Sequence, residues 1–149
     1  MRFKDRVAVI TGGTGGLGKA VVSVFLGNGA KVFSTNTRTG QLGDSSELKE
    51  VYKDRLIFGK ADVTKANDMA KAVERTMRKF GRIDFLINIV GGFAMASVLD
   101  TDQTLWNKMI NMNLNSVFVS SKAVLPQMME QKYGRIINIG ARPALTGVK

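Results

Sequence analysis

Cysteine and histidine are both absent from this sequence of 149 residues. Without cysteine there is no disulfide and no thiolate chemistry, and a reducing cytoplasm is compatible, so a cytoplasmic location is expected. Without histidine the commonest general base and the commonest metal ligand are missing. Zinc chemistry and Ser-His-Asp hydrolysis are therefore disfavoured, and no metal site is expected. No apolar run approaches the roughly 18 residues that a membrane helix needs. The N-terminus, Met1-Arg2-Phe3-Lys4-Asp5-Arg6, shows no apolar segment followed by a cleavage site. Acidic residues are few, 12 against 22 basic ones, which leaves a net charge of +10. The basic residues are scattered (Lys49, Lys60, Lys71, Arg78), and no aromatics interleave with them. That pattern reads as a solvated surface rather than a nucleic-acid site, although it favours anionic ligands such as phosphorylated cofactors.

What is present is an ordinary globular composition, 44% hydrophobic and 23% charged. The length fits one domain over 1–149 with a real core. The most informative run is Thr11-Gly12-Gly13-Thr14-Gly15-Gly16-Leu17-Gly18, directly after the apolar stretch Val7-Ala8-Val9-Ile10. A glycine-rich turn between a buried strand and a helix is a phosphate cradle: the backbone can come close, and the helix N-terminus offers free N–H donors and partial positive charge.

Strand and helix patterns alternate along the whole chain. The first strand is predicted over 6–12. A helix follows over 16–28, with Leu17, Val21, Val24 and Phe25 on its apolar face and Gly29 closing it. A second strand over 31–36 leads through a polar loop to a short helix over 44–54. There Asp44 and Glu47 stand at capping-box spacing, and Leu48, Val51 and Tyr52 face inward. A third strand covers 56–63. Thr64 is the expected N-cap of a helix whose stripe is Met69, Val73, Thr76, Met77 and Phe80. The fourth strand, over 84–90, is almost continuously apolar, as in a parallel sheet buried on both faces. One long helix is predicted from Asp100 and Gln103 to about Gln131, then a fifth strand over 134–140. The fold class is α/β: a Rossmann-like, doubly wound parallel sheet in three layers. Such sheets bind ligands at the carboxyl ends of the strands, where the glycine turn lies.

The spacing Thr11-Gly12-x-x-x-Gly16-x-Gly18 resembles the cofactor motif of the short-chain dehydrogenase/reductase family. Asp62-Val63 is similar to its adenine-ring contact, and Asn88-Ile89-Val90-Gly91 to its NNAG element. Asn113-Leu114 resembles its active-site asparagine. Gly134-Arg135-Ile136-Ile137-Asn138-Ile139 resembles the strand that leads to its catalytic serine. The five motifs occur in order across nearly the whole chain. The resemblance implies an NAD(P)-linked oxidoreductase acting on a small carbonyl or alcohol, such as a 3-oxoacyl-acyl-carrier-protein reductase, and a homo-oligomer. It implies cofactor contacts from Thr11, Gly12, Thr14, Gly16, Leu17, Gly18, Asn36, Thr37, Arg38, Asp62, Val63, Asn88, Val90 and Gly91. For Asn113 it implies a proton-relay water site, while the residue pattern alone, an asparagine on an apolar stripe with Trp106, Ile110, Val117 and Val124, also allows a buried polar group that bends the helix.

Two departures stand out. Ala141 occupies the usual serine position and has no hydroxyl; Thr146 carries one nearby, with no geometric reason to join the site. The family's Tyr-x-x-x-Lys pair is also missing, since neither Tyr52 nor Tyr133 is followed by lysine four residues later. The sequence thus resembles the N-terminal portion of the family, ending after strand 5, and is expected to be inactive alone. A catalytically silent nucleotide-binding or regulatory protein is the alternative. Strand 2 ends in Asn36-Thr37-Arg38, with an arginine and no carboxylate, which favours NADP over NAD. Ile136, Ile137 and Ile139 are expected on an unprotected sheet edge that promotes self-association.

Overall fold

A computed structural model describes residues 1–37 and 45–141. Five parallel strands form one sheet in the order β3-β2-β1-β4-β5. They are β1 (Val7–Ile10), β2 (Lys31–Asn36), β3 (Leu56–Lys60), β4 (Phe85–Asn88) and β5 (Arg135–Asn138). β1 is central and pairs with both β2 and β4; Val9 lies opposite Phe33 on one side and Leu86 on the other. Residues alternate between the two faces of the sheet. Ala8, Ile10, Val32 and Ile87 pack against α1 (Gly16–Gly27) and α2 (Ser45–Val51). Val9, Phe33 and Leu86 pack against α3 (Ala66–Phe80) and α5 (Ser116–Glu130). Helices on both faces make the sheet doubly wound. The winding reverses between β1 and β4, and the gap above that reversal positions the site.

Several local expectations change. α1 buries Gly18, Val22 and Leu26, while Leu17 and Val24 are exposed. The missing side chain at Gly18 lets this row approach the sheet, so the buried face turns away from Leu17 and Val24. Asp44 lies outside the described residues. In α2, Leu48 and the neighbouring Tyr52 pack against the core, but Val51 points to solvent. Thr64 does not cap α3. Its N–H and hydroxyl both donate to Asp62 Oδ1 (3.0 and 2.7 Å), so Lys65 stands at the N-cap without a side-chain bond.

The long helix predicted from Asp100 and Gln103 runs without a break from Gln103 to Glu130, as α4 (Gln103–Ile110), a π-helical turn (Asn111–Asn115) and α5. Asp102 caps α4 by accepting from the Leu105 N–H at 2.7 Å, while Asp100 accepts from the Ser97 hydroxyl. The wide π-turn breaks the 3.6-residue phase. The buried stripe of α5 is therefore Ser116, Ser120, Val124 and Met128, and Trp106 and Ile110 are exposed. β5 is an edge strand of this sheet, with Ile137 and Ile139 exposed.

Candidate functional site

The turn after β1 is built from atoms that stay out of the way. The buried Thr11 hydroxyl accepts the N–H groups of Ile89 (2.9 Å) and Val90 (3.2 Å), pinning the exit of β4 to the exit of β1. Gly12 turns the chain at φ +69°, which favours glycine, and its N–H donates to Thr35 Oγ1 at 3.2 Å. A Cβ at Gly13 would overlap the Ser34 hydroxyl, and one at Gly18 would run into the Gly12 carbonyl oxygen. Those two glycines serve the fold. Gly16 is different: no described residue lies within 4 Å of where its Cβ would stand.

Gly16 opens α1, whose N-cap, Gly15, makes no side-chain capping bond and whose first turn holds no acidic residue. The first N–H groups of a helix have no partner within it, and among the described residues no side chain caps them. They face a cleft of about 310 Å³ lined by the glycine turn, Thr35, Asn36 and Thr37 after β2, Ala61 and Val63 after β3, and Ile89, Val90 and Gly91 after β4. Among the described residues, no charged side chain lines the cleft. An anion there would meet main-chain amides and the positive end of α1. A bare Gly16, an uncapped helix start and apolar walls at Ala61, Val63 and Val90 fit a dinucleotide, with its diphosphate on the turn.

The structure thus brings Gly12, Thr14, Gly16, Leu17, Gly18, Asn36, Thr37, Val63, Val90 and Gly91 to one cleft, and places Thr11 just beneath it. Arg38 and Thr146 lie outside the described residues. The side chain of Asp62 is not in the lining. It accepts from Thr64 and stands 3.6 Å from the Lys65 ammonium. The Thr64 hydrogen bond, helped by Lys65, holds its carboxyl below the usual range against the opposing effect of partial burial. Asn88 is also outside the lining: it is buried, and its amide donates to Asn138 Oδ1 at 2.9 Å, tying β4 to β5. Gly15, Thr35, Ala61 and Ile89 line the cleft without having been singled out from the sequence. Gly15 and Ile89 stand inside the quoted motifs, and Thr35 and Ala61 beside them.

Asn113 is exposed, so the expectation of a buried asparagine is corrected. Its Oδ1 accepts the Gly92 N–H at 2.9 Å and its Nδ2 donates to the Met109 carbonyl at 3.0 Å. A Cβ at Gly91 would stand 2.9 Å from that Oδ1, so glycine there lets the π-turn close on the β4 loop. Ala141 lies exposed beyond β5.

A family model described as short chain dehydrogenase matches residues 6–149. The chain is similar to a 3-oxoacyl-[acyl-carrier-protein] reductase of Escherichia coli (strain K12), 33% identical over 142 residues, 95% of this chain and 57% of that protein. It is similar to 2-(S)-hydroxypropyl-CoM dehydrogenase 3 of Xanthobacter autotrophicus, 33% identical over 147 residues, 99% of this chain and 58% of that protein. A solved short-chain dehydrogenase/reductase from Brucella melitensis, titled a glucose/ribitol dehydrogenase, superposes with a TM-score of 0.87 at 27% identity, covering 100% of this chain and 62% of the other. The chain thus spans less than two thirds of the length of these proteins.

Proposed function

The chain belongs to the short-chain dehydrogenase family, and from that membership we propose that it binds NADP(H) as the coenzyme-holding part of an oxidoreductase that interconverts a carbonyl and an alcohol. The observation that carries this reading is Gly16, a cleft-facing glycine that no contact among the described residues requires. The family uses a nicotinamide coenzyme, which supplies hydride when bound. The turn over 12–18 and the N-terminal amides of α1 would hold its diphosphate. Ala61, Val63 and Val90 would flank the adenine, and Gly91 leaves the other end of the cleft open toward Asn113.

NADP is favoured over NAD because Asn36 and Thr37 at the end of β2 offer no carboxylate to repel a 2′-phosphate, and Arg38 follows them in sequence. Thr11, Asp62 and Asn88 act in this reading from behind the cleft wall, by positioning its backbone. Asn113 is the residue matching the family's active-site asparagine. With its amide engaged on both sides, its part in proton relay would fall to main-chain atoms of the π-turn. Substrates resembling a 3-oxoacyl thioester come first, by similarity to relatives carrying that name. A homo-oligomer is carried over from the family resemblance, and the lack of cysteine is compatible with a cytoplasmic location.

Residues 1–149 contain no Tyr-x-x-x-Lys, so on their own they are expected to bind coenzyme without turnover. Fluorescence titration with NADPH and NADH tests the reading: NADPH should bind more tightly, and failure of both to bind overturns it. Ala141 favours a second reading, a silent nucleotide-binding protein of the same fold. A Tyr-x-x-x-Lys encoded soon after Lys149 would count against that second reading.

A further inference from the structure

α5 carries two buried serines, and they behave differently. Ser116 donates back to the Met112 carbonyl at 2.7 Å, the usual i−4 bond of a helical hydroxyl. Thr76 in α3 does the same to Ala72 at 2.7 Å. Ser120 is 0% exposed, yet its hydroxyl has no partner. A second buried atom shares that condition: Oδ1 of Asn88, a residue 4% exposed whose Nδ2 is used on Asn138. Buried polar atoms without partners are rare, because each forfeits its hydration.

Strand and helix periodicity put the two residues in one layer. Leu86 belongs to the same core cluster as Val124 and Met128 of α5, and α5 lies against β4. Asn88 lies two residues beyond Leu86 on the same face of β4. Ser120 lies one turn before Val124 on the same stripe, and a helix that returns after a parallel strand runs antiparallel to it. Moving up β4 from Leu86 and back along α5 from Val124 therefore reaches Asn88 and Ser120 at the same level.

We propose that Asn88 Oδ1 and Ser120 Oγ are the two protein ligands of one buried water that joins β4 to α5 beneath the β4 loop. The amide oxygen accepts from it, and the hydroxyl both donates and accepts, which matches what internal waters bind. By holding one end of the Asn88 amide, the water fixes the other end on Asn138 and so sets where β5 leaves the sheet toward Ala141. This inference does not rest on the oxidoreductase reading, and its test needs no coenzyme.

The experiment is NMR on the uniformly labelled protein, reading cross-peaks between long-lived water and the Asn88 side-chain amide. The parent should show them. Ser120→Ala, which suits a helix and should fold, should lose them and shift both the Asn88 and Asn138 amide signals. Ser120→Thr, which keeps the hydroxyl, should restore them. Absence of a water cross-peak in the parent overturns the proposal. So does an unchanged cross-peak in Ser120→Ala, or a Ser120 hydroxyl found bonded to the Ser116 carbonyl.

Discussion

At the C-terminal ends of β1, β2 and β4 the protein presents glycines, hydroxyls and main-chain amides around a cleft. At the N-terminal ends of the same sheet it presents a buried carboxylate between arginines and a cluster of rings. Asp84 is 0% exposed; its Oδ1 accepts from Arg6 (2.7 Å) and Arg82 (2.6 Å), and its Oδ2 from Arg82 Nε (2.8 Å) and the Val7 N–H (2.9 Å). Phe3 stacks on Phe25 at 4.9 Å, Phe85 meets both edge-on at 5.4 and 5.5 Å, and the Arg6 guanidinium lies 4.5 Å over the Tyr133 ring. One end is closed by side chains that satisfy one another. The other keeps side chains small, so that its amides stay available to something outside the chain. Stability and binding are thereby assigned to opposite ends, and substitutions should separate them.

The largest expected effect is at Gly18, where the two roles meet. Gly18→Ala pushes a methyl into the Gly12 carbonyl. It should cost about 3 kcal/mol or more and abolish coenzyme binding. A urea midpoint and a titration read both losses, and an unchanged midpoint would show that the turn relaxes. Asp84→Asn should cost about 3 kcal/mol, at the low end for breaking a buried ion pair because Arg6 and Arg82 are 38% and 40% exposed and can turn to water. Coenzyme affinity of the folded protein should not change. A matching loss of affinity would join the two ends that the comparison keeps apart.

The same residue sets a pH dependence. Burial acts to raise the Asp84 carboxyl, but hydrogen bonds from Arg82, Val7 and Arg6 outweigh it and leave it below its ordinary value. Its contribution is then complete above the unfolded value of about 4 and lost as pH falls through the lower folded value. The stability gap between parent and Asp84→Asn should be constant from about pH 7 to 5 and shrink below about pH 4. A gap that widens in acid would contradict the assignment. Phe3→Leu should have the smallest effect, about 1 kcal/mol in thermal or urea unfolding, with binding untouched.

The strands were legible because their signal is local. Phe85, Leu86 and Ile87 form an unbroken apolar run, and the glycine turn announces its own geometry. The π-turn was not legible. Asn111–Asn115 has no proline or glycine to mark it, and the contacts that favour the wide turn, Asn113 with Gly92 after β4 and Asn115 with the Thr64 carbonyl after β3, are distant in sequence. The inward face of α1 was misread because Gly18, the residue that decides it, has no hydrophobicity to count. Asp62 and Asn88 were legible as motif residues but not as to where their side chains point. That depends on Thr64 and Asn138, and for Asn138 the partner is brought close only by sheet register. The cleft residues Thr35 and Ala61 converge only once β1, β2 and β3 are laid side by side.

The most direct test of the whole account is Gly16→Val, followed by NADPH titration and a thermal melt of the same sample. The side chain has open space on the protein's side and the cleft in front of it. The melting temperature should stay within a few degrees of the parent, while affinity falls at least about a hundredfold, roughly 3 kcal/mol. A variant that melts like the parent and binds NADPH as tightly would contradict the assignment of the cleft.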